Sequence, residues 1–252
     1  DTVVSRFNGG QLEVMAQPEL VAMVQDGLTV FRASGGHYDL TVSPLIKFWD
    51  VRHRTMPPTR EEVNAALAKV GSEHLIEGAG GITRDAELTL DLGSINKGYA
   101  VDEAFKVFKT AGAEAIKWAI INAESSTMVW GTKPDGESFS VLLTDPRDDT
   151  RPVTTFALNS GEAISSSDLF HQGFNYEGRW YSHIVDAQSG WPVSEEAGVT
   201  VVLVGHAALA DALSTAFLVT PADREEELMD LVRDHHGRVI KIAMDGTGIV
   251  AE

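Results

Sequence analysis

Cysteine is absent from this chain of 252 residues. Disulfide bonds, catalytic thiolates and zinc sites built on cysteine are therefore excluded. The absence also suits an oxidising, extracytoplasmic compartment, where an unpaired thiol is a liability.

Positive charge and long apolar runs are scarce as well. The 20 Lys and Arg residues are outnumbered by 37 Asp and Glu residues, which gives a net charge of −17. Nucleic-acid binding depends on a basic surface, so we expect no nucleic-acid partner. No uninterrupted apolar run reaches the roughly 18 residues of a membrane-spanning helix, so we expect no transmembrane segment in this chain.

The pattern of helices and strands predicts an α+β fold. Helical patterns run from Pro18 to about Ser34, from a capping box at Thr59-Arg-Glu-Glu62 to about Val70, and from Thr220-Pro221 to about His235. Strand-like runs cover residues 116–121, 139–144, 153–158, 180–185, 199–204 and 239–243, with a hairpin at 177–178 and a polar loop at 147–151. Some strands follow one another directly and others are followed by helices, which predicts one domain, residues 1–252, of mixed sheets flanked by helices.

The most informative stretch is Asp91-Leu-Gly-Ser-Ile-Asn-Lys-Gly98. It predicts the end of a strand over 88–92, a tight polar loop, and a helix that starts near Lys97 and ends at Gly112. Backbone N–H groups at a helix N-terminus, together with one ammonium group, form an anion site suited to a phosphorylated ligand. Only three residues separate Gly93 from Lys97, which excludes a P-loop. A strand–helix turn with a solvent-exposed lysine is the alternative.

Three further segments carry candidate chemistry. Asp211 and Thr215 are four residues apart on a predicted helix, so their oxygen atoms share one face and suit Mg²⁺ or Ca²⁺; a helix-end Asp with a buried Thr is the alternative. His183 lies in the strand-like run 180–185 and suits proton transfer near neutral pH, or a structural role at a turn. Tyr38 and Trp49 flank a predicted short strand and either stack on a planar ligand or belong to the core.

These segments, in this order, resemble the motifs of the ApbE family of FAD:protein FMN transferases. The resemblance covers nearly the whole chain and is carried by five stretches: Ser5-Arg-Phe-Asn8, His37-Tyr-Asp-Leu-Thr-Val-Ser-Pro-Leu45, Asp91-Leu-Gly-Ser-Ile-Asn-Lys-Gly-Tyr-Ala100, Ser182-His-Ile-Val-Asp-Ala-Gln-Ser-Gly190 and Ala210-Asp-Ala-Leu-Ser-Thr215. It implies two intimate lobes of the ApbE type, which is T-fold-like. It also implies a reaction in which a Ser or Thr hydroxyl of a partner flavoprotein attacks FAD on its FMN side and AMP leaves.

The resemblance also implies the site residues. Asp211, Thr215 and the backbone carbonyl of Ser94 would hold Mg²⁺. Lys97 would neutralise phosphate, and His183 would handle the proton or orient the attacking hydroxyl. The flavin nucleotide would contact Ser5, Tyr38, Asp91, Lys97, His183 and Val185, with Tyr38 near the isoalloxazine ring.

Two departures from the family keep other functions open. Glu124-Ser125 stands where the family usually has Gly-Gly, and the family's N-terminal strand and helix have no counterpart before Ser5. A Mg²⁺-dependent FAD pyrophosphatase that gives FMN and AMP is one alternative, and a non-catalytic FAD-binding protein is another. By resemblance we expect an extracytoplasmic protein, membrane-anchored through a segment outside this chain, with the cytoplasm as the alternative.

Overall fold

The structure is a computed structural model that describes residues 2–110 and 116–251. The helices of these ranges are α1 (Val3–Asn8), α2 (Pro18–Ala33), α3 (Ser43–Trp49), α4 (Arg60–Leu67), α5 (Asn96–Thr110), α6 (Ala207–Val219) and α7 (Glu226–Asp234). The strands are β1 (Leu75–Gly78), β2 (Gly81–Arg84), β3 (Trp118–Ala123), β4 (Ser126–Gly131), β5 (Phe139–Asp145), β6 (Asp148–Leu158), β7 (Glu162–Asp168), β8 (Gly173–Tyr176), β9 (Arg179–Ser182), β10 (Glu196–Val204), β11 (Arg238–Ala243) and β12 (Gly248–Ala251). None of the helices in this described part is long and apolar enough to cross a membrane.

A six-stranded antiparallel sheet in the order β12-β11-β10-β7-β4-β3 forms the centre of the molecule. Strand β10 is buried on both faces. Val199, Val201 and Leu203 pack toward the helices, and Val202 packs on the opposite side. Helices α5 and α6 cover the first face, α2 packs on α6, and the β5–β6 hairpin covers the second face. This layering explains why the run 199–204 is apolar at every position except Thr200 instead of alternating.

Helix α5 approaches the start of α6 so closely that only glycine fits at position 98. A Cβ atom added to Gly98 would lie 2.1 Å from the carbonyl oxygen of Ala207. Asp102, one turn further along α5, accepts hydrogen bonds from the N–H groups of Ala207 and Ala208 at 2.9 and 2.8 Å. The side chain of Asp102 therefore satisfies backbone donors that α6 leaves unpaired at its N-terminus.

A smaller lobe consists of α3, α4 and the β8–β9 hairpin. Its core surrounds Trp49, which stacks near Tyr181 and donates a hydrogen bond from Nε1 to the carbonyl of Gly190 at 2.8 Å. The apolar cluster of this lobe contains Leu45, Trp49, Val51, Val63, Ala66, Phe174, Tyr181 and Val185. A separate apolar cluster in the smaller lobe, beside those on the two faces of the sheet, agrees with the predicted pair of intimate lobes.

The α+β prediction and most elements are confirmed. The helices that begin near Pro18 and at the Thr59 capping box are present, and Glu177-Gly178 closes the β8–β9 hairpin. Helix α5 is present as well, whereas its expected cap at Gly112 lies outside the described residues.

The strand predicted over 88–92 is wrong. Its alternate leucines are buried as expected, but the backbone joins no sheet. The side chain of Asn8 bonds both the N–H and the carbonyl of Leu90 at 2.8 Å, and Asp91 N–H donates to the carbonyl of Leu40. Alternation reports which residues are buried, and here side-chain and loop partners replace a neighbouring strand.

Three other boundaries differ from the prediction. The segment between Tyr38 and Trp49 forms a turn and then α3, because Pro44 lies in the first turn of that helix, where a proline is well tolerated. The helix expected directly after Thr220 is preceded by a 3-10 turn at 222–224 and starts at Glu226. The polar loop expected at 147–151 is shorter, since β6 already begins at Asp148.

Candidate active site

A cavity of about 630 Å³ lies between the two lobes. Its walls bring together eight of the nine site residues predicted from the sequence, which are Tyr38, Asp91, Ser94, Lys97, His183, Val185, Asp211 and Thr215. Ser5 is not among the lining residues. It is exposed on α1, where its hydroxyl donates to the carbonyl of Thr2. From the same motif, Asn8 has a structural task, since it fixes Leu90 just ahead of the loop at Asp91.

Asp211 is the one charged residue of α6, and its side chain is almost completely buried. One carboxylate oxygen accepts the N–H of Gly98 at 3.0 Å, and the other accepts the hydroxyl of Ser165 at 2.8 Å. Burial raises the pKa of Asp211, while the nearby positive charge of Lys97 favours the ionised form. The carboxylate is thus held in a fixed orientation at the edge of the cavity.

Hydroxyl groups surround this carboxylate. Thr215 lies one turn after Asp211 and its Oγ1 is 3.0 Å from Oγ of Ser167, which also lies 2.7 Å from Oγ of Ser214. Ser165 and Ser167 alternate along β7, so both point toward α6. The sequence interpretation assigned no role to these two serines, although their period-two spacing in a strand-like run was a usable signal.

The donor set suits a hard divalent cation better than a soft one. No cluster of three or more His, Cys, Asp or Glu side chains with metal-site geometry occurs in the described ranges. One carboxylate together with hydroxyl and carbonyl oxygens remains, and Mg²⁺ commonly binds to few protein groups while water and phosphate complete its shell. Asp211, Thr215 and Ser94 therefore fit Mg²⁺ by chemistry, and their role as ligands stays a prediction.

Lys97 lies in the first turn of α5 and faces the cavity. Its ammonium group makes one long contact, 3.5 Å to the carbonyl of Gly93, and within the described residues no carboxylate oxygen lies within 4.0 Å of it. The N–H of Gly98, in the same turn, donates to Asp211. The predicted anion site is therefore partly filled by a carboxylate of the protein itself, and the Lys97 ammonium remains available for a phosphate.

Tyr38 forms part of the wall next to this polar end. Its hydroxyl lies 2.9 Å from Oγ of Ser94, and burial raises the pKa of Tyr38 far above its ordinary range. The phenol therefore stays protonated and helps to fix the loop that carries Ser94. Asp91 closes the same loop by accepting the N–H of Gly93 at 2.8 Å. Stacking of Tyr38 near a flavin ring stays a prediction.

His183 follows directly after β9 and is held by the loop between β7 and β8. The carbonyl of Gln172 accepts its backbone N–H at 3.0 Å and lies 3.2 Å from its Nδ1. A carbonyl accepts hydrogen bonds only, so Nδ1 carries the proton and Nε2 is left as the acceptor. Burial lowers the pKa of His183, which keeps the ring neutral near pH 7.

Other groups at the cavity were not among the predicted site residues. Arg52 lines it and donates from Nε to the side chain of Gln172 at 2.8 Å, and His171 lies near the ring of His183. Glu124 and Ser125 also line it, in the turn between β3 and β4. Glu124 has φ = 54°, a left-handed conformation that glycine adopts more easily, which explains why a glycine pair suits this turn.

Comparisons with known proteins agree with this geometry. The family model described as the ApbE family matches residues 1–240. The FAD:protein FMN transferase of Vibrio cholerae is 28% identical over 230 residues, which are 89% of this chain and 68% of that protein. The FAD:protein FMN transferase of Salmonella typhimurium is 28% identical over 258 residues, 98% of this chain and 72% of that protein.

Solved structures show the same similarity in three dimensions. The ApbE protein of Thermotoga maritima superimposes with a TM-score of 0.85 at 25% identity and covers 100% of this chain and 82% of its own. The apo form of the flavinyl transferase ApbE of Pseudomonas stutzeri gives a TM-score of 0.80 at 29% identity, with 100% and 78% covered. The similarity therefore extends over both lobes.

Proposed function

The chain belongs to the ApbE family, and from this premise we propose that it is an FAD:protein FMN transferase. In the proposed reaction, a Ser or Thr hydroxyl oxygen of an acceptor protein attacks the phosphorus atom on the FMN side of FAD. The new P–O bond joins FMN to the acceptor, the P–O bond within the pyrophosphate breaks, and AMP leaves. The hydroxyl proton passes to a base in the site.

The observation that carries the proposal is the polarity of the cavity. Lys97, Asp211 and Thr215 form a polar part of its wall, and the apolar side chains of Val42, Ile46, Trp49, Val51 and Val185, which belong to one cluster, form an apolar part. FAD combines a doubly charged pyrophosphate with a flat, largely apolar ring system. A cavity with both a polar and an apolar wall is suited to such a molecule.

The side chains supply positioning and charge, which dominate catalysis of phosphoryl-type transfer. The ammonium group of Lys97 would neutralise charge on the phosphates as the bond to AMP breaks. His183 would accept the proton of the acceptor hydroxyl at Nε2, because its Nδ1–H is committed to the carbonyl of Gln172. Asp211, Thr215 and the Ser94 carbonyl would hold Mg²⁺, which supplies Lewis-acid polarisation of the phosphate when bound.

The partner of the proposed reaction is a flavoprotein subunit or domain with a Ser or Thr at its flavinylation site. By the family resemblance, that encounter would take place outside the cytoplasm. The net charge of −17 disfavours a nucleic-acid partner.

The test is to incubate the chain with FAD and Mg²⁺, with and without a Ser/Thr-containing acceptor domain, and to measure the mass of the acceptor. We expect an added FMN on the acceptor, free AMP, and loss of both with EDTA. Free FMN and AMP without an adduct on the acceptor would contradict the transferase and indicate a pyrophosphatase. Intact FAD in every mixture would contradict both enzymatic activities and leave a flavin-binding protein.

A further inference from the structure

A histidine–aspartate pair at the cavity was not among the predicted site residues. Nδ1 of His37 is 2.8 Å from Oδ1 of Asp186, and the two side chains are 14% and 12% exposed. His37 lines the cavity. We propose that Nε2 of His37 accepts a hydrogen bond from the imide N3–H of the isoalloxazine ring. This assignment rests on the proposed use of FAD and makes His37 a specificity-determining residue for the flavin.

The orientation of His37 is fixed from both of its ends. Its carbonyl accepts the N–H of Ala187 at 3.0 Å. Asp186 also accepts the N–H groups of Gln188 and Ser189, at 2.9 and 3.1 Å, so its carboxylate is itself held rigidly by the turn. A carboxylate only accepts, which places the proton of a neutral imidazole on Nδ1 and leaves Nε2 as an acceptor. Within residues 2–110 and 116–251, no group donates a hydrogen bond to this Nε2.

The pair lies beside the apolar cluster of the smaller lobe. Val185, the neighbour of Asp186, packs in the same cluster as Trp49, and the turn 186–190 ends at Gly190, whose carbonyl accepts from the indole of Trp49. Lys97 and Asp211 line the cavity from α5 and α6 of the larger lobe. A bound FAD with its phosphates near Lys97 would extend its isoalloxazine ring toward the smaller lobe and toward His37.

The chemistry of the ring selects the donor. Oxidised isoalloxazine carries a single N–H group, at N3; its N1, O2, O4 and N5 atoms accept hydrogen bonds, and N10 carries the ribityl chain. An imidazole with its proton held on Nδ1 offers one acceptor, so the two are complementary. If this hydrogen bond is lost while the N3–H group or its acceptor stays buried, flavin binding weakens by about five- to tenfold.

A purely structural His37 would behave differently. It would stabilise the turn 186–190, and its loss would lower the melting temperature, yet it would not distinguish one flavin from another. The decisive measurement is therefore a difference between two ligands, FAD and its N3-methyl derivative, in which the donor at N3 is blocked.

The experiment measures the dissociation constants of FAD and N3-methyl-FAD by flavin fluorescence titration, without any acceptor protein. The proteins are the unmodified chain, His37→Leu, which keeps bulk but loses the acceptor, and His37→Gln, whose side-chain oxygen can accept. His74→Ala is the matched control, because His74 pairs with Asp85 at the same 2.8 Å in an exposed position away from the cavity. Circular dichroism and thermal melting check that each variant is folded.

The unmodified chain and His74→Ala should bind FAD about five- to tenfold more tightly than N3-methyl-FAD. His37→Leu should lose this preference, and His37→Gln should keep part of it. Equal affinity of the unmodified chain for both flavins, or an undiminished preference in folded His37→Leu, would overturn the assignment. If His37→Leu does not fold, the preference for FAD over N3-methyl-FAD in the unmodified chain and in His37→Gln still tests the assignment. If the unmodified chain does not bind FAD at all, the proposed function fails as well. If the acceptor assay gives an FMN adduct but the titration shows no preference for FAD over N3-methyl-FAD, only the role of His37 is refuted.

Discussion

Replacing Asp211 by asparagine should abolish metal-dependent turnover while leaving the fold intact. Alanine is the usual choice, but the buried carboxylate accepts hydrogen bonds from Gly98 and Ser165. Alanine leaves the Gly98 N–H without a partner inside the protein, at a cost of about 1–3 kcal/mol. For a chain of this size, that loss lowers the melting temperature by roughly 2–12 °C.

Asparagine preserves both contacts. Its carbonyl oxygen can accept from Gly98, and its amide can donate to Ser165, whose hydroxyl also has Ser126 as a neighbour at 2.7 Å. Asparagine also removes the charge whose burial raises the pKa of Asp211. A carboxyl with a raised pKa in the folded state lowers stability once the pH exceeds its unfolded pKa, so the neutral amide should not lose stability at pH 7.

The assay combines two measurements on Asp211→Asn and Asp211→Ala. Thermal unfolding in EDTA should show Asp211→Asn within about 1 kcal/mol of the unmodified chain and Asp211→Ala clearly lower. Release of AMP from FAD with an acceptor present, followed over a Mg²⁺ titration, should be lost in both. Normal turnover of Asp211→Asn at the same Mg²⁺ concentration would refute the metal assignment, and an unaltered melting temperature of Asp211→Ala would refute the hydrogen-bond argument.

Three further outcomes are expected. Lys97→Ala should weaken FAD binding about tenfold or more in a fluorescence titration, because a charge-assisted contact to phosphate is lost. The control Lys109→Ala, at an exposed lysine, should bind FAD as the unmodified chain does. Equal affinity of Lys97→Ala and the unmodified chain for FAD would make Lys97 a solvated turn residue. The rate should fall on acidification with a midpoint below 6.5, since burial lowers the pKa of His183 and only its neutral ring accepts a proton; a midpoint above that value in the pH–rate profile would contradict its role as the base. Gly98→Ala should destabilise the chain by about 1–3 kcal/mol in urea unfolding, because its Cβ clashes with α6. Gly80→Ala should be neutral, because no atom lies within 4 Å of a Cβ added there. Similar urea midpoints for the two variants would show that α5 can shift to relieve the clash.

Local signals predicted the helices better than they predicted the backbone of the loops. The capping box at Thr59 and the proline at position 18 act within one turn, so the sequence identifies those helix starts directly. The alternating leucines of 88–92 are buried as predicted, yet the partner of that backbone is Asn8, about eighty positions away. A periodic pattern indicates which side is buried and not which group completes the hydrogen bonds.

The candidate site shows the same division. Motif order identified Lys97, His183, Asp211 and Thr215, and the structure brings all four to one cavity. The motif also pointed to Ser5, which is exposed on α1, whereas Asn8 of the same motif makes the bridging contact to Leu90. Ser167 lies in Ser166-Ser-Asp168, where the family usually has Thr-Ser-Gly, but that match assigned it no task. Ser165 and Gln172 had no motif of their own, since their tasks depend on partners from other segments.

The sequence by itself determined the composition limits, the α+β class, most helices and the residue types available for phosphate and metal chemistry, because these depend on local periodicity and on side-chain chemistry. Only the tertiary structure decided the pairs that give those residues their tasks. Gly98 and Asp211 are 113 positions apart, and His37 and Asp186 are 149 apart. Such contacts join elements that are far apart in the sequence, and no local pattern encodes the distance between them.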